Sequence, residues 1–298
     1  MAKRMGGCFL GFILGVVFVF VAVAGGLFLG ANYAVNRFLG DEGQWMRLGI
    51  KNVFQLVDFV NAVNKPDMSG IIRGESKPGE GPKASALGKI ESFGFPVDPV
   101  TGELEIEKIL AGDITLDILA TAFEIDVTGA EFASLINMAL DSGAQGSFNL
   151  NDMRLEQIDL AYISQSECDV TITLSLSLDL VSGMLGPLSG FISAEKIYLT
   201  CVNTMTIAND GTQDKMSSSP KGGGGIQINN LGEKQSKQLF TAFLTMSGSE
   251  ASTPEAYGES LGKIIADAIN NFEGQKSFVE HAEDEPSNPP AIRLIWSL

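Results

Sequence analysis

A serine followed three residues later by a lysine is the shortest pattern in this chain that could support a reaction. Ser193-Ala194-Glu195-Lys196 and Ser260-Leu261-Gly262-Lys263 both match it, and a lysine so placed could take the serine proton ahead of acyl transfer. Ser147-Phe148-Asn149 would supply an S-x-N partner, but no K-T-G follows, and three-letter matches arise readily by chance. The sole histidine, His281, sits in the polar run Glu280-His281-Ala282-Glu283-Asp284-Glu285. A zinc site or a Ser-His-Asp triad would have to be assembled around that solvated run. Asp141 to Asp152 has the length of a calcium-binding loop with Gly146 in its sixth place. Its third place is Gly143, which offers no side-chain oxygen. Gly222 to Gly225 is not framed by a strand and a helix as a phosphate-cradling loop must be. The chemistry-bearing residues therefore predict no enzyme, no metal and no cofactor.

What the chain does carry is an apolar face. From Cys168 to Leu180 every even residue is apolar, namely Cys168, Val170, Ile172, Leu174, Leu176, Leu178 and Leu180, and every odd one is polar. Side chains of a strand alternate between faces, so this is one long strand, roughly 40 Å end to end, with a greasy side and a wet side. Such a strand cannot stand alone and needs neighbours and a cover. Met153 to Ile163 predicts the strand before it, turning at Ser164 to Glu167. Ile197, Leu199, Cys201, Met205 and Ile207 alternate again, giving a three-stranded meander. Facing the strands places Cys201 opposite Leu174 or Leu176, so Cys168 and Cys201 are expected as buried free thiols.

The remaining elements must cover that face. Thr128-Gly129-Ala130-Glu131 is a capping box opening a helix that turns Phe132, Leu135, Ile136 and Leu140 inward. A short strand is expected at Ile226 to Ile228. Two helices follow, one marked by Leu239, Phe240, Phe243 and Leu244. The other is capped by Thr253-Pro254 and carries Tyr257, Leu261, Ile264, Ile265, Ala268, Ile269 and Phe272. Ile292, Leu294, Trp296 and Leu298 predict a last strand pairing with the sheet.

The N-terminal part reads differently. Residues 8–35 form a transmembrane anchor, because Cys8 to Ala34 is uncharged and about 20 apolar residues cross a bilayer. Lys3 and Arg4 in the stub 1–7 place that end in the cytoplasm and the rest outside. Ala22-Val23-Ala24 also fits a signal-peptidase site, but the apolar run continues past it. Gly11, Gly15, Ala22 and Gly26 fall on one helix face, where small residues let two membrane helices approach, so they are candidates for self-association into a homodimer. Residues 36–64 contain an amphipathic juxtamembrane helix that packs on its own domain or forms a dimer stalk. Residues 65–95 read as a Gly/Pro-rich linker, and 96–298 as the extracytoplasmic domain with a flexible low-complexity loop at 209–225.

The whole chain has 20 Lys+Arg against 36 Asp+Glu. Setting aside Lys3 and Arg4 leaves 18 against 36, an exported part near −18. Such a charge argues against a nucleic-acid partner and against lying on an anionic bilayer.

The predicted class is α+β: an N-terminal transmembrane helix, then a long-stranded, curved antiparallel sheet packed against helices. The single anchor, the helix start V-T-G-A-E-F-A-S-L-I-N (Val127 to Asn137), the long amphipathic strands and the I-N-N-L turn (Ile228 to Leu231) resemble one known group. It is the YpmS-like N-terminally anchored envelope proteins of Gram-positive bacteria, with a shape similar to tubular lipid-binding (TULIP/SMP-like) domains. That resemblance implies a hydrophobic groove, which Ile172, Leu174, Leu176, Leu178 and Leu199 would line. Two functions stay open. One is a non-enzymatic scaffold or interaction module of the cell envelope on a single-pass anchor. The other is binding or transfer of a lipid or other hydrophobic ligand in a groove between the sheet and its helices.

Overall fold

The computed structural model describes residues 53–68, 71–91, 122–143, 153–177, 192–209, 211, 213–223, 226–246, 253–270, 274–280 and 289–297. Helix α1 (Val53–Asn64) leads to a 3-10 turn (Gly74–Ser76) and helix α2 (Glu80–Glu91). Strand β1 (Ala122–Thr128) runs directly into helix α3 (Gly129–Gly143). Strands β2 (Met153–Ser164), β3 (Glu167–Ser177), β4 (Lys196–Asn209) and β5 (Asp214–Pro220) form a meander. The two-residue β6 (Gln227–Ile228) precedes helices α4 (Glu233–Met246) and α5 (Pro254–Asn270), and strands β7 (Gln275–Val279) and β8 (Ala291–Ser297) follow. The fold is α+β with antiparallel sheets. One sheet has the order β2-β3-β4-β5 with β6 alongside β4, and the other has the order β1-β8-β7.

The meander turns at Gln165-Ser166, as the alternation requires. Its register corrects one expectation: Cys201 faces Ile172, neither Leu174 nor Leu176, and Leu199 faces Leu174. Alternation alone allows any even shift, and in the register adopted Glu167 stands opposite Thr206. Cys168 faces Met205, so the two thiols are free and buried. Burial pushes both up to about 12, with the Asp169 carboxylate adding to the rise at Cys168.

The side of β3 expected to be wet is covered. Asp169, Thr173 and Ser175 are buried, as are Gln157 and Thr200 beside them. Burying hydroxyls is tolerable because they bond to one another across strands. Thr173 and Thr200 hydroxyls lie 3.1 Å apart, Ser175 Oγ donates to Glu156 Oε1 at 2.6 Å, and Thr204 Oγ1 donates to Asp169 Oδ1 at 2.7 Å.

The linker assigned to 65–95 is instead structured through α2. Ala86 and Leu87 are buried, Gly79 N donates to Ser134 Oγ at 3.2 Å, and Ser85 Oγ donates to Glu131 Oε1 at 2.5 Å. Its helical apolar pattern is short, Ala84, Ala86, Leu87 and Ile90 set among Gly81, Pro82 and Gly88, so glycine and proline mask it. The loop assigned to 209–225 is likewise corrected, because β5 occupies its middle. Met216 is its one buried apolar side chain, and Thr206 and Ser217 hydroxyls pair across to β4 at 2.9 Å. A serine-rich edge strand with a single anchor leaves no alternation to read.

The capping box holds: Thr128 N donates to Glu131 Oε2 at 2.9 Å and Glu131 N to Thr128 Oγ1 at 3.3 Å. Thr253 Oγ1 similarly accepts from Ala256 N at 3.2 Å to open α5. The C-terminal strand pairs, but centrally within the second sheet, between β1 and β7. That sheet is tied to the meander where Phe278 N donates to Gln165 O at 2.8 Å.

One core results. It joins Phe132 and Ile136 of α3, Leu239 and Phe240 of α4, and Leu261, Ile265 and Ile269 of α5 to the even side of β3 and the odd side of β4. Helix α1 belongs to it too, through Phe59 and Val63, each 1% exposed. The domain boundary therefore lies at or before Val53 rather than at 96. Burying those two side chains is worth about 2–3 kcal/mol apiece. Among the described residues no helix is long and apolar enough to cross a membrane. The anchor and its face of Gly11, Gly15, Ala22 and Gly26 lie outside the described residues.

Candidate functional site

Strand β3 carries Ile172, Leu174 and Leu176 on one side, and β4 adds Leu199 directly opposite Leu174. The structure brings these four together. They are 1%, 1%, 4% and 2% exposed, in the same cluster as the helices that cover them. A groove wide enough for a lipid chain would leave its walls accessible, whereas walls this closed are those of a packed interior. Leu178, the fifth residue proposed for the face, lies outside the described residues.

Where α5 crosses this face it comes unusually close. A Cβ on Gly262 would stand 2.2 Å from Ser218 Oγ and 2.6 Å from Asn203 Cγ. Asn203 is the one buried polar residue on the core side of β4, and its Nδ2 donates to Gly258 O at 3.2 Å. Gly258, Gly262 and Ala266, four residues apart, thus form the flat stripe on which the helix rests.

The opposite side of the sheet gathers the polar groups. Asp169 accepts from Thr204 and from Lys221, which caps the end of β5. Asp159 accepts from Ser76 Oγ at 2.6 Å and faces Arg73 at 3.7 Å. A bulge at Glu156 lets its carboxylate take Ser175 Oγ and, at 3.0 Å, Lys196 Nζ. The next residue, Gln157, is fully buried, and neither amide atom has a hydrogen-bond partner.

The reactive-looking pairs are otherwise employed. Lys196 is bound to Glu156, Ser193 is exposed and donates its backbone N–H to Asn64 Oδ1 at 2.6 Å, and Ser260 Oγ donates to Ala256 O at 2.7 Å. His281 and the 147–149 motif lie outside the described residues. Among the described residues no three His, Cys, Asp or Glu side chains converge to hold a metal ion.

Asparagines do the joining that the sequence reading missed. Asn137, Asn229 and Asn270 each bond a backbone N–H elsewhere in the chain. Only one signal marked any of them: Asn229 in the I-N-N-L turn, the one non-glycine residue with positive φ, 46°, among those described. Compared with protein-family models, with curated proteins and with solved structures, the chain matches none.

Proposed function

We propose that this chain is a single-pass, membrane-anchored protein of the cell envelope whose extracytoplasmic domain is a non-enzymatic scaffold or interaction module. The observation that carries the reading is the closed apolar face. Ile172, Leu174, Leu176 and Leu199 are spent on the domain's own helices, which weighs against a hydrophobic ligand there and leaves the outer surface to do the work. The uncharged run from Cys8 to Ala34 beside Lys3 and Arg4 supports the anchored topology. The YpmS-like resemblance belongs to this proposal and supplies the same topology.

Protease added to intact cells tests the placement. The acidic domain is expected to be digested from outside while the stub is protected; protection of the domain reverses the topology and removes the proposal. In the same cells, photo-crosslinkers at the half-exposed Val57 and Ile163 are expected to capture one defined protein partner. Capture of lipid alone, under conditions where the domain is folded, contradicts the module reading.

A further inference from the structure

The sheet β1-β8-β7 treats its two outer strands differently. Strand β7 turns the N–H groups of Lys276 and Phe278 outward, and the meander takes both, at Asp214 Oδ2 (3.0 Å) and Gln165 O (2.8 Å). Strand β1 is sealed only at the end that runs into α3. There Asp126 O accepts from Lys89 Nζ at 2.6 Å, and Thr128 N donates to Glu131 Oε2 at 2.9 Å. Outward groups recur at every second residue of a strand in an antiparallel sheet. Glu124 therefore turns its N–H and C=O to that same edge, while Ile125 turns its own toward Leu294 of β8. Among the described residues nothing bonds the outward pair of Glu124, and the residue is exposed.

We propose that β1 receives one added strand beside Ala122 to Glu124, an extended segment of another protein that carries a lysine or arginine across from Glu124. Charge chooses this occupant. The Glu124 carboxylate is 51% exposed although Arg293 Nη1 bonds it at 2.9 Å, and the chain as a whole carries −16. A second copy would bring Glu124 against its own counterpart, and like charges directly opposite destabilise an antiparallel pair. On the other face Ile125 is half-buried beside Leu294, which packs on the core, so the neighbour of the basic residue is apolar. Backbone bonds hold an added strand and its alternate side chains select it. Lys89, seated on Asp126 O, ends the site. The inference deepens the interaction-module reading and rests on it, naming the surface and the kind of partner.

Hydrogen exchange of the full chain in uncharged detergent micelles tests this. The probes are two short peptides, one alternating valine with lysine and one alternating valine with glutamate. Saturating lysine peptide is expected to slow exchange of the Glu124 amide about ten-fold, the effect of one net hydrogen bond. The Ile125 amide, already in the ladder, is expected not to change, and the glutamate peptide to slow neither. Glu124→Pro removes only the outward N–H, a change that edge strands tolerate. It is expected to melt like the wild type and to lose the lysine peptide in fluorescence anisotropy; a folded proline variant that still binds it overturns the proposal. Glu124→Lys keeps the N–H and is expected to reverse the preference, which decides the case should the proline variant melt early. Equal affinity for both peptides in the wild type, or an unreversed preference in Glu124→Lys, overturns the proposal. So does a Glu124 amide that is slow without peptide. Slowing that grows with chain concentration means a second copy pairs there, and slowing that does not means the chain covers its own edge. An edge that takes no strand leaves the protease and crosslinking results to decide the module reading.

Discussion

Asn137 of α3 lies across the outer edge of β2, where its Nδ2 donates to Leu155 O at 2.9 Å and its Oδ1 accepts from Leu155 N at 3.0 Å. At the far edge of the same sheet Asn270 of α5 does the same to Met216, with both bonds at 2.7 Å. A carboxamide matches a peptide unit in donor and acceptor, so each asparagine stands in for one residue of a further strand. Pro220 adds a residue with no N–H at the end of β5. Exposed strand edges invite pairing with other chains, and these devices close them.

Asn137→Ala and Asn270→Ala are each expected to cost about 1–3 kcal/mol in urea unfolding, because a backbone N–H and C=O lose their partners together. Asn137→Asp keeps the acceptor, loses the donor and should fall between. Light scattering should show self-association rising in both alanine variants. Wild-type stability and solubility in both would mean the edges need no stopper.

Gly129 opens α3 against β2 with no room for a side chain, since a Cβ there would stand 1.9 Å from Ile158 O. Backbone cannot swing aside as a flexible side chain can, so Gly129→Ala is expected to cost about 2–3 kcal/mol. Gly88, around whose Cβ position nothing lies within 4 Å, is the control on α2. Gly88→Ala should be neutral or stabilising by the helical preference for alanine. Equal effects at the two sites would contradict the close approach.

Glu131 both caps its own helix and receives α2, through Ser85 Oγ and Lys89 Nζ. Burial pushes its carboxyl up, but the hydrogen bonds from Lys89, Ser85 and Thr128 N, with the Lys89 charge, outweigh it and hold the group below 4.5. A carboxylate whose folded value is depressed contributes stability above its unfolded value and loses it as the pH falls through the folded one. The stability difference between wild type and Glu131→Gln is therefore expected to be full above pH 5 and to shrink steadily in acid. A difference that stays constant across that range would show that the charge plays no part.

Gln157 is the reverse case, a buried carboxamide with nothing to bond. Replacing an unsatisfied polar group by an apolar one of like shape removes a desolvation cost, so Gln157→Met is expected to gain about 1 kcal/mol. A loss in thermal melting would mean the amide has a partner in solution.

The long strands, the capping box and the helices after β6 were legible because period-2 and period-3.6 patterns depend only on local order. Leu174 and Leu199 could be placed on one side of a sheet that way. The burial of Thr173 and Ser175 could not, since alternation says which residues share a side and nothing about whether that side is covered. Strand β1 was hidden by its direct run into the Thr128 cap, and β5 by serines that pair through hydroxyls instead of packing. The edge asparagines have no local signature at all: Asn137 is eighteen residues from Leu155 and Asn270 fifty-four from Met216.

The central claim is that the side of β3 bearing Ile172, Leu174 and Leu176 is a sealed core and that the domain works from its outer surface. Quantitative lipid extraction from the domain, released by protease from chain purified out of its own membrane, tests this most directly, with Leu176→Phe alongside. The expected result is no lipid at stoichiometric occupancy in the wild type, and a loss of about 1–3 kcal/mol in Leu176→Phe from overpacking. One bound lipid per domain, displaced by Leu176→Phe with the fold and its stability intact, would contradict it.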